Sequence, residues 1–86
     1  MSGRLVQVFR SPRHEGMYLI VDRAKGLEAV PEALLSRFGR AEPSFVFMLT
    51  AERTLANADP ALVLDALATK GFYLQLPPED AGEGIT

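Results

Sequence analysis

The stretch KGFYLQLPP, Lys70–Pro78, marks the end of one element and both limits of the next. Gly71 after Lys70 predicts a helix end, because glycine readily adopts the left-handed conformation that terminates helices. Apolar and polar-tipped side chains alternate over 72–76, which predicts a strand with one apolar face. The two prolines at the end cannot donate to a strand ladder, so pairing should stop there. The remainder of the chain is interpreted as the scaffold that this last strand completes.

Working back from that strand, periodicity and turn residues divide the chain into alternating elements. Residues 11–16 form a short connector with proline and glycine, which favours a hairpin between the first two strands. Asp59-Pro60 predicts a helix start, since aspartate caps and proline suits the first helical position. The predicted order is strand 4–10, strand 17–21, helix from near 31 to 38, strand 45–49, helix 60–69 and strand 72–76.

Two of the predicted strands, Met17–Val21 and Phe45–Leu49, are apolar at every position. Strands covered on both faces read as unbroken apolar runs, whereas strands with one solvated face alternate. Both runs are therefore expected to be covered on both sides, with one helix available for each side. The predicted fold class is α+β, a small α/β/α sandwich with a mainly antiparallel sheet of about four strands. The pattern does not determine the strand order.

Length and composition indicate one globular domain, expected over residues 1–78 with a short, acidic, flexible tail at 79–86. The sequence contains no cysteine, which excludes disulfides and thiolate metal sites and fits a cytoplasmic location. No apolar run approaches the roughly 20 residues of a membrane span, and the start lacks the layout of a signal peptide. The formal net charge of −2 predicts neither a strong nucleic-acid surface nor a membrane surface.

Residues with catalytic chemistry are few and scattered. His14 is the only histidine, and it lies in the first connector beside Arg13 and Glu15. A solvated turn residue is one interpretation of His14, and a functional base is the other, which would require an oriented partner and a cleft. The carboxylates show no spacing that suggests acid/base work. We therefore predict no catalytic residues, no metal and no cofactor.

Arginines offer the main candidate for binding. Arg10 and Arg13 flank the first connector, and Arg37 and Arg40 flank the end of the first helix. If the two places adjoin, they can bind phosphate or carboxylate; the alternative is a set of separate, solvated charges. Tyrosines and a glutamine in the strands either line a groove or pack with polar tips at its rim. The candidate ligand- or partner-binding residues are Arg10, Arg13, Tyr18, Arg37, Tyr73 and Gln75.

Five segments together resemble the YcgL family of small bacterial proteins, a domain of unknown function. They are Phe9–Ser11, Met17–Val21, residues 30–39, residues 55–59 and, most diagnostic, Gly71–Pro78. The chain departs from the family pattern at Phe9, where tyrosine is usual, in a longer connection between residues 39 and 43, and in a shorter tail. The resemblance implies an α/β/α sandwich in a cytoplasmic bacterial protein with no established activity or cofactor. It also implies an association with ribonuclease D, and hence with RNA metabolism, through gene neighbourhood.

Two functional hypotheses remain. The first is a non-enzymatic binding or adaptor domain with a protein or RNA partner, without membrane contact, as a monomer or weak dimer. The second is a small-ligand binder or small enzyme with a site around the first hairpin, built from Arg10, Arg13, His14 and Tyr18.

Overall fold

The computed structural model describes residues 3–53, 55 and 58–76. Its elements follow the predicted order of two strands, a helix, a strand, a helix and a strand. They are β1 (Arg4–Arg10), β2 (Tyr18–Asp22), α1 (Glu32–Phe38), β3 (Glu42–Leu49), α2 (Pro60–Thr69) and β4 (Phe72–Gln75). The predicted limits of β1 and of both helices agree with these to within one residue. The prediction for β3 is three residues short at its start.

The four strands form one antiparallel sheet in the order β3-β1-β2-β4. β1 and β2 make the predicted hairpin, and β2 pairs on its other side with β4. The ladder between β1 and β3 shifts register: Val8 pairs with Phe45, but Phe9 pairs with Pro43. Ser44 is therefore the extra residue of a bulge, and Pro43 is tolerated because β3 is an edge strand. The α+β class and the mainly antiparallel sheet are confirmed.

Local sequence signals set the helix limits. The Asp59 carboxylate accepts the backbone N–H of Ala61 at 3.0 Å, with Pro60 as the first residue of α2. Gly39 and Gly71 follow the two helices with φ of 91° and 93°, conformations that a side chain would strain. At Gly71 an added Cβ would also lie 2.4 Å from the Cβ of Ala29. Glycine is thus required there twice, by the backbone angle and by the contact.

The core is divided between the two faces of the sheet. On one face, Val63 and Leu67 of α2 pack with Val6, Val8 and Ile20 of the central strands. On the other, Phe38 of α1 packs with Leu19 and Val21 of β2 and with Val30 before the helix. Since neighbouring residues of a strand point to opposite faces, β2 supplies both clusters. Each helix therefore packs on one face, and β2 is buried between them.

The expectation that both apolar runs are covered on both faces is right for Met17–Val21 and wrong for Phe45–Leu49. In the first run Leu19, Ile20 and Val21 are all buried. In the second, Phe45 is 52%, Val46 41% and Met48 51% exposed, and only Leu49 is buried. The reason is the strand order: β3 is at the edge of the sheet, where only Leu49 and part of Phe47 reach the cluster under α2.

Some predictions fall outside the described residues. They concern positions 56 and 57 of the segment 55–59, the stop at Pro77 and Pro78, and the tail at 79–86. Over the part of the chain that is described, neither helix has the length or apolar character needed to cross a membrane.

Candidate partner-binding groove

A buried serine fixes the first connector to the end of α1. Ser11 is 5% exposed, and its hydroxyl donates to the carbonyl oxygen of Phe38 at 2.5 Å. The Ser11 hydroxyl oxygen in turn accepts the backbone N–H groups of Arg13 and His14, at 3.2 and 3.1 Å. All three hydrogen-bonding positions of the hydroxyl are thus used. This arrangement holds the backbone of Arg13 and His14 beside the last turn of the helix.

A groove of about 460 Å³ lies where the connector meets α1 and β4. Its apolar lining comes from α1, from β4 with the residue after it, and from the connector, and its basic lining comes from the connector and the helix. The apolar residues are Met17, Leu34, Phe38, Leu74 and Leu76, and the others are Arg13, His14 and Arg37. Phe38 is fully buried, so the rigid core forms part of the groove. Both arginine side chains lie at the surface, next to an apolar face.

The charge of this groove is one-sided. No acidic side chain is among the described residues that line it. Within residues 3–53, 55 and 58–76, the ion pairs join Arg4 to Asp22 and Arg10 to Glu42, so neither includes a groove arginine. Arg13 instead directs its guanidinium at the carbonyl oxygen of Ser36, at 3.4 Å. Two cations beside apolar surface can interact with an anionic group that is attached to an apolar one.

Other predicted site residues lie on the opposite face of the sheet. The strand registers align Glu42, Arg10, Tyr18 and Gln75 in one row across all four strands. Arg10 forms a 3.0 Å ion pair with Glu42 in this row. A second cavity, of about 500 Å³, adjoins it and is lined by Arg10, Tyr18, Glu15 and Glu42 with connector residues. Its lining carries two glutamates against one arginine, so it does not favour an anionic ligand.

The six predicted residues are therefore divided between two places. The structure brings Arg13 and Arg37 together in the groove, as the hypothesis of adjoining arginines requires. It places Arg10, Tyr18 and Gln75 in the polar row, and Tyr73 packs half-buried against the cluster under α2. Arg40 lines neither cavity.

Sequence reasoning missed Ser11 as the residue that positions the groove. The available signal was a serine just before a Pro-Arg-His turn, since such hydroxyls commonly accept nearby backbone N–H groups. It also missed Leu74 and Leu76, which line the groove from the strand face opposite Tyr73 and Gln75. The alternation over 72–76 predicts their strand face, but the candidate binding residues Tyr73 and Gln75 lie on the other one.

Fold and groove together define a small α+β protein with an antiparallel sheet and an open, basic-rimmed apolar groove at one end. Residues 6–78 match the family model described as the YcgL domain, and the chain belongs to this family. A YcgL domain-containing protein of Chromohalobacter salexigens is 53% identical over 78 residues, covering 91% of this chain and 81% of the relative. Its counterpart in Cellvibrio japonicus is 50% identical over 76 residues, covering 88% and 78% of the two chains. The predicted resemblance is thereby confirmed.

Proposed function

We propose that this chain is a non-enzymatic binding domain whose groove recognises a protein segment with acidic and apolar side chains. One observation carries the proposal: Arg13 and Arg37, which lie on either side of β2 in the sequence, line the same groove. No acidic side chain is among the described residues that line it. Each arginine can bind a carboxylate through paired N–H donors. Met17, Leu34 and Leu74 offer apolar surface to neighbouring side chains of the same segment.

The shape of the groove favours a peptide over a small metabolite. A site for a small molecule encloses most of its ligand, whereas this groove is only about half enclosed. Its lining also favours a peptide over RNA. Single-stranded RNA binding uses a series of aromatic side chains as stacking platforms. Of the aromatic rings that line this groove, Phe38 is fully buried, which leaves the imidazole of His14 as a single exposed ring.

Selection from a random peptide-display library against the full chain tests the proposal without assuming a sequence. The expected enriched peptides carry glutamate or aspartate next to leucine, isoleucine or phenylalanine. An enriched peptide should bind saturably in fluorescence anisotropy. The double variant Arg13→Glu/Arg37→Glu should weaken that binding at least tenfold, because both cations become anions.

The matched control is Arg23→Glu/Lys25→Glu, which makes the same change of charge in the exposed turn at the other end of the sheet. This variant should bind the peptide within a factor of two of the unmodified chain. Equal loss in both double variants would show an effect of net charge alone and would overturn the proposal. Failure to enrich acidic-apolar peptides would also overturn it, as would nuclease-sensitive capture of RNA from a bacterial lysate in place of peptide binding.

A further inference from the structure

The edge formed by β3 is long, apolar and uncharged over its central part. Among residues 3–53, 55 and 58–76, β1 is the one strand that pairs with β3, so the other side of β3 is an edge of the sheet. Residues 43–49 contain no charged side chain. Natural edge strands usually discourage pairing with another chain by charges, shortness or a covering element. None of the seven residues is charged, and α2 covers only Leu49 and part of Phe47.

Exposed apolar side chains lie on both faces of this edge. Phe45 projects on the α2 face, where its ring is 5.5 Å from that of Phe47. Val46 and Met48 project on the α1 face beside Leu5, which is itself 43% exposed. Monomeric proteins rarely expose apolar residues in so contiguous a set, and such sets mark interaction sites.

We propose that β3 pairs antiparallel with β3 of a second copy of this chain, about a two-fold axis at Val46. The two four-stranded sheets then become one sheet of eight strands, with both α1 helices on one side of it. The axis at Val46 keeps each face matched to itself, because residues pair on the same face of an antiparallel ladder. It also pairs the uncharged segment 43–49 of one chain with the same segment of the other.

In this register the aromatic side chains meet each other. Phe45 of one copy lies opposite Phe47 of the other, so four rings form one cluster on the α2 face. Cross-strand aromatic pairs are among the pairs that stabilise sheets. On the opposite face Val46 meets Val46, and Met48 meets Ser44. Each exposed side chain of the edge thereby gains a neighbour.

The apolar pattern of the segment is complementary to itself. About an axis at Val46, Phe45 and Phe47 exchange partners between the copies, and residues 43–49 of neither copy carry a charge. The Arg53 guanidinium lies 4.4 Å from the centre of the Phe47 ring and can stack on the aromatic cluster that the two copies share. This self-complementarity is the reason to assign the edge to a second copy over an unrelated strand.

Single cysteines test both the pairing and its register, because the chain has no cysteine of its own. In the proposed dimer the two residues at position 46 face each other, with Cβ atoms about 4.5–5.5 Å apart. A disulfide needs Cβ atoms about 3.5–4.5 Å apart, a distance reached by a small adjustment. The residues at position 48 would lie about 13 Å apart, four residues of strand rise, and cannot be bridged. Under mild oxidation Val46→Cys should thus form disulfide dimers at least tenfold faster than Met48→Cys.

Sedimentation equilibrium of the full chain supplies the second measurement. The unmodified chain should associate with rising concentration, and Val46→Arg should weaken this at least tenfold by placing two like charges together. Leu62→Arg is the control, since Leu62 is a 60% exposed apolar residue on α2, away from the edge. It should leave association unchanged. Equal cross-linking at 46 and 48, a monomer at every concentration, or equal effects of the two arginine variants would each overturn the proposal.

Discussion

Met17–Val21 and Phe45–Leu49 are nearly alike in sequence and opposite in environment. Both are five-residue runs with no polar side chain except the tyrosine in the first. The first forms most of β2, which pairs on both sides and has a helix over each face. The second forms most of β3, which pairs on one side and leaves three of its five side chains exposed. Apolar character is the same in the two, and position in the sheet decides burial.

This difference shows what an unbroken apolar run does and does not indicate. It indicates that both faces of a strand need a cover, because apolar surface in water is unfavourable. It does not indicate that the cover belongs to the same chain. For β2 the cover is internal, and for β3 we propose that a second copy completes it in part.

The sharpest way to break the comparison is to make the same substitution in both runs. Val21→Ala removes two methyl groups from a fully buried site, and should lower the free energy of unfolding by about 2.5 kcal/mol. Val46→Ala should lower it by less than about 0.5 kcal/mol, because Val46 is 41% exposed in the single chain. Urea unfolding at low micromolar concentration measures both values. Similar losses at the two positions would contradict the assigned environments.

A pair of serines extends the comparison to hydrogen bonding beside each run. Ser11→Ala should cost about 1.5 kcal/mol, because the Phe38 carbonyl oxygen and two backbone N–H groups lose a buried partner. Ser44→Ala, at the exposed bulge of β3, should change stability by less than about 0.5 kcal/mol. Peptide binding at the groove should also fall in the Ser11 variant alone. Unfolding curves with equal midpoints for the two variants would refute the positioning role of Ser11.

The smallest expected effects are those of salt, which should act differently on the groove and on the β3 edge. Raising the ionic strength from 0.1 to 1 M shortens the screening length from about 10 to about 3 Å. Binding of the selected acidic peptide should therefore weaken several-fold, while association through the uncharged segment 43–49 should change by less than a factor of two. Anisotropy and sedimentation report these separately. Strong salt sensitivity of self-association would indicate that contacts between charges outside the segment control it.

The features of the fold that sequence predicted are local ones. Asp59-Pro60 and Gly71 specify their helix ends within a few residues of chain, and the structure agrees. The coverage of β3 depends on strand order, which is a relation between distant segments and leaves no local pattern. The early start of β3 was missed for a related reason. Pro43 signals a strand limit in a central strand, but is allowed within an edge strand.

The site was predicted in part for the same reason. Arg13 and Arg37 were candidates because each lies beside a chain turn, and both are in the groove. What joins them is the Ser11–Phe38 hydrogen bond, which spans 27 residues and follows only from the folded structure. Tyr18 and Gln75 were grouped with the arginines on residue type alone. The strand registers place them on the other face.

The measurement that tests the central claim most directly is hydrogen exchange of β2 and β3 amides at two protein concentrations. β2 amides should be protected equally at low and high concentration, since their cover is internal. Outward-facing β3 amides should exchange rapidly in the dilute sample and become protected in the concentrated one. If β3 is protected as strongly as β2 in the dilute sample, or gains no protection on concentration, the contrast between the two apolar runs is not the one described.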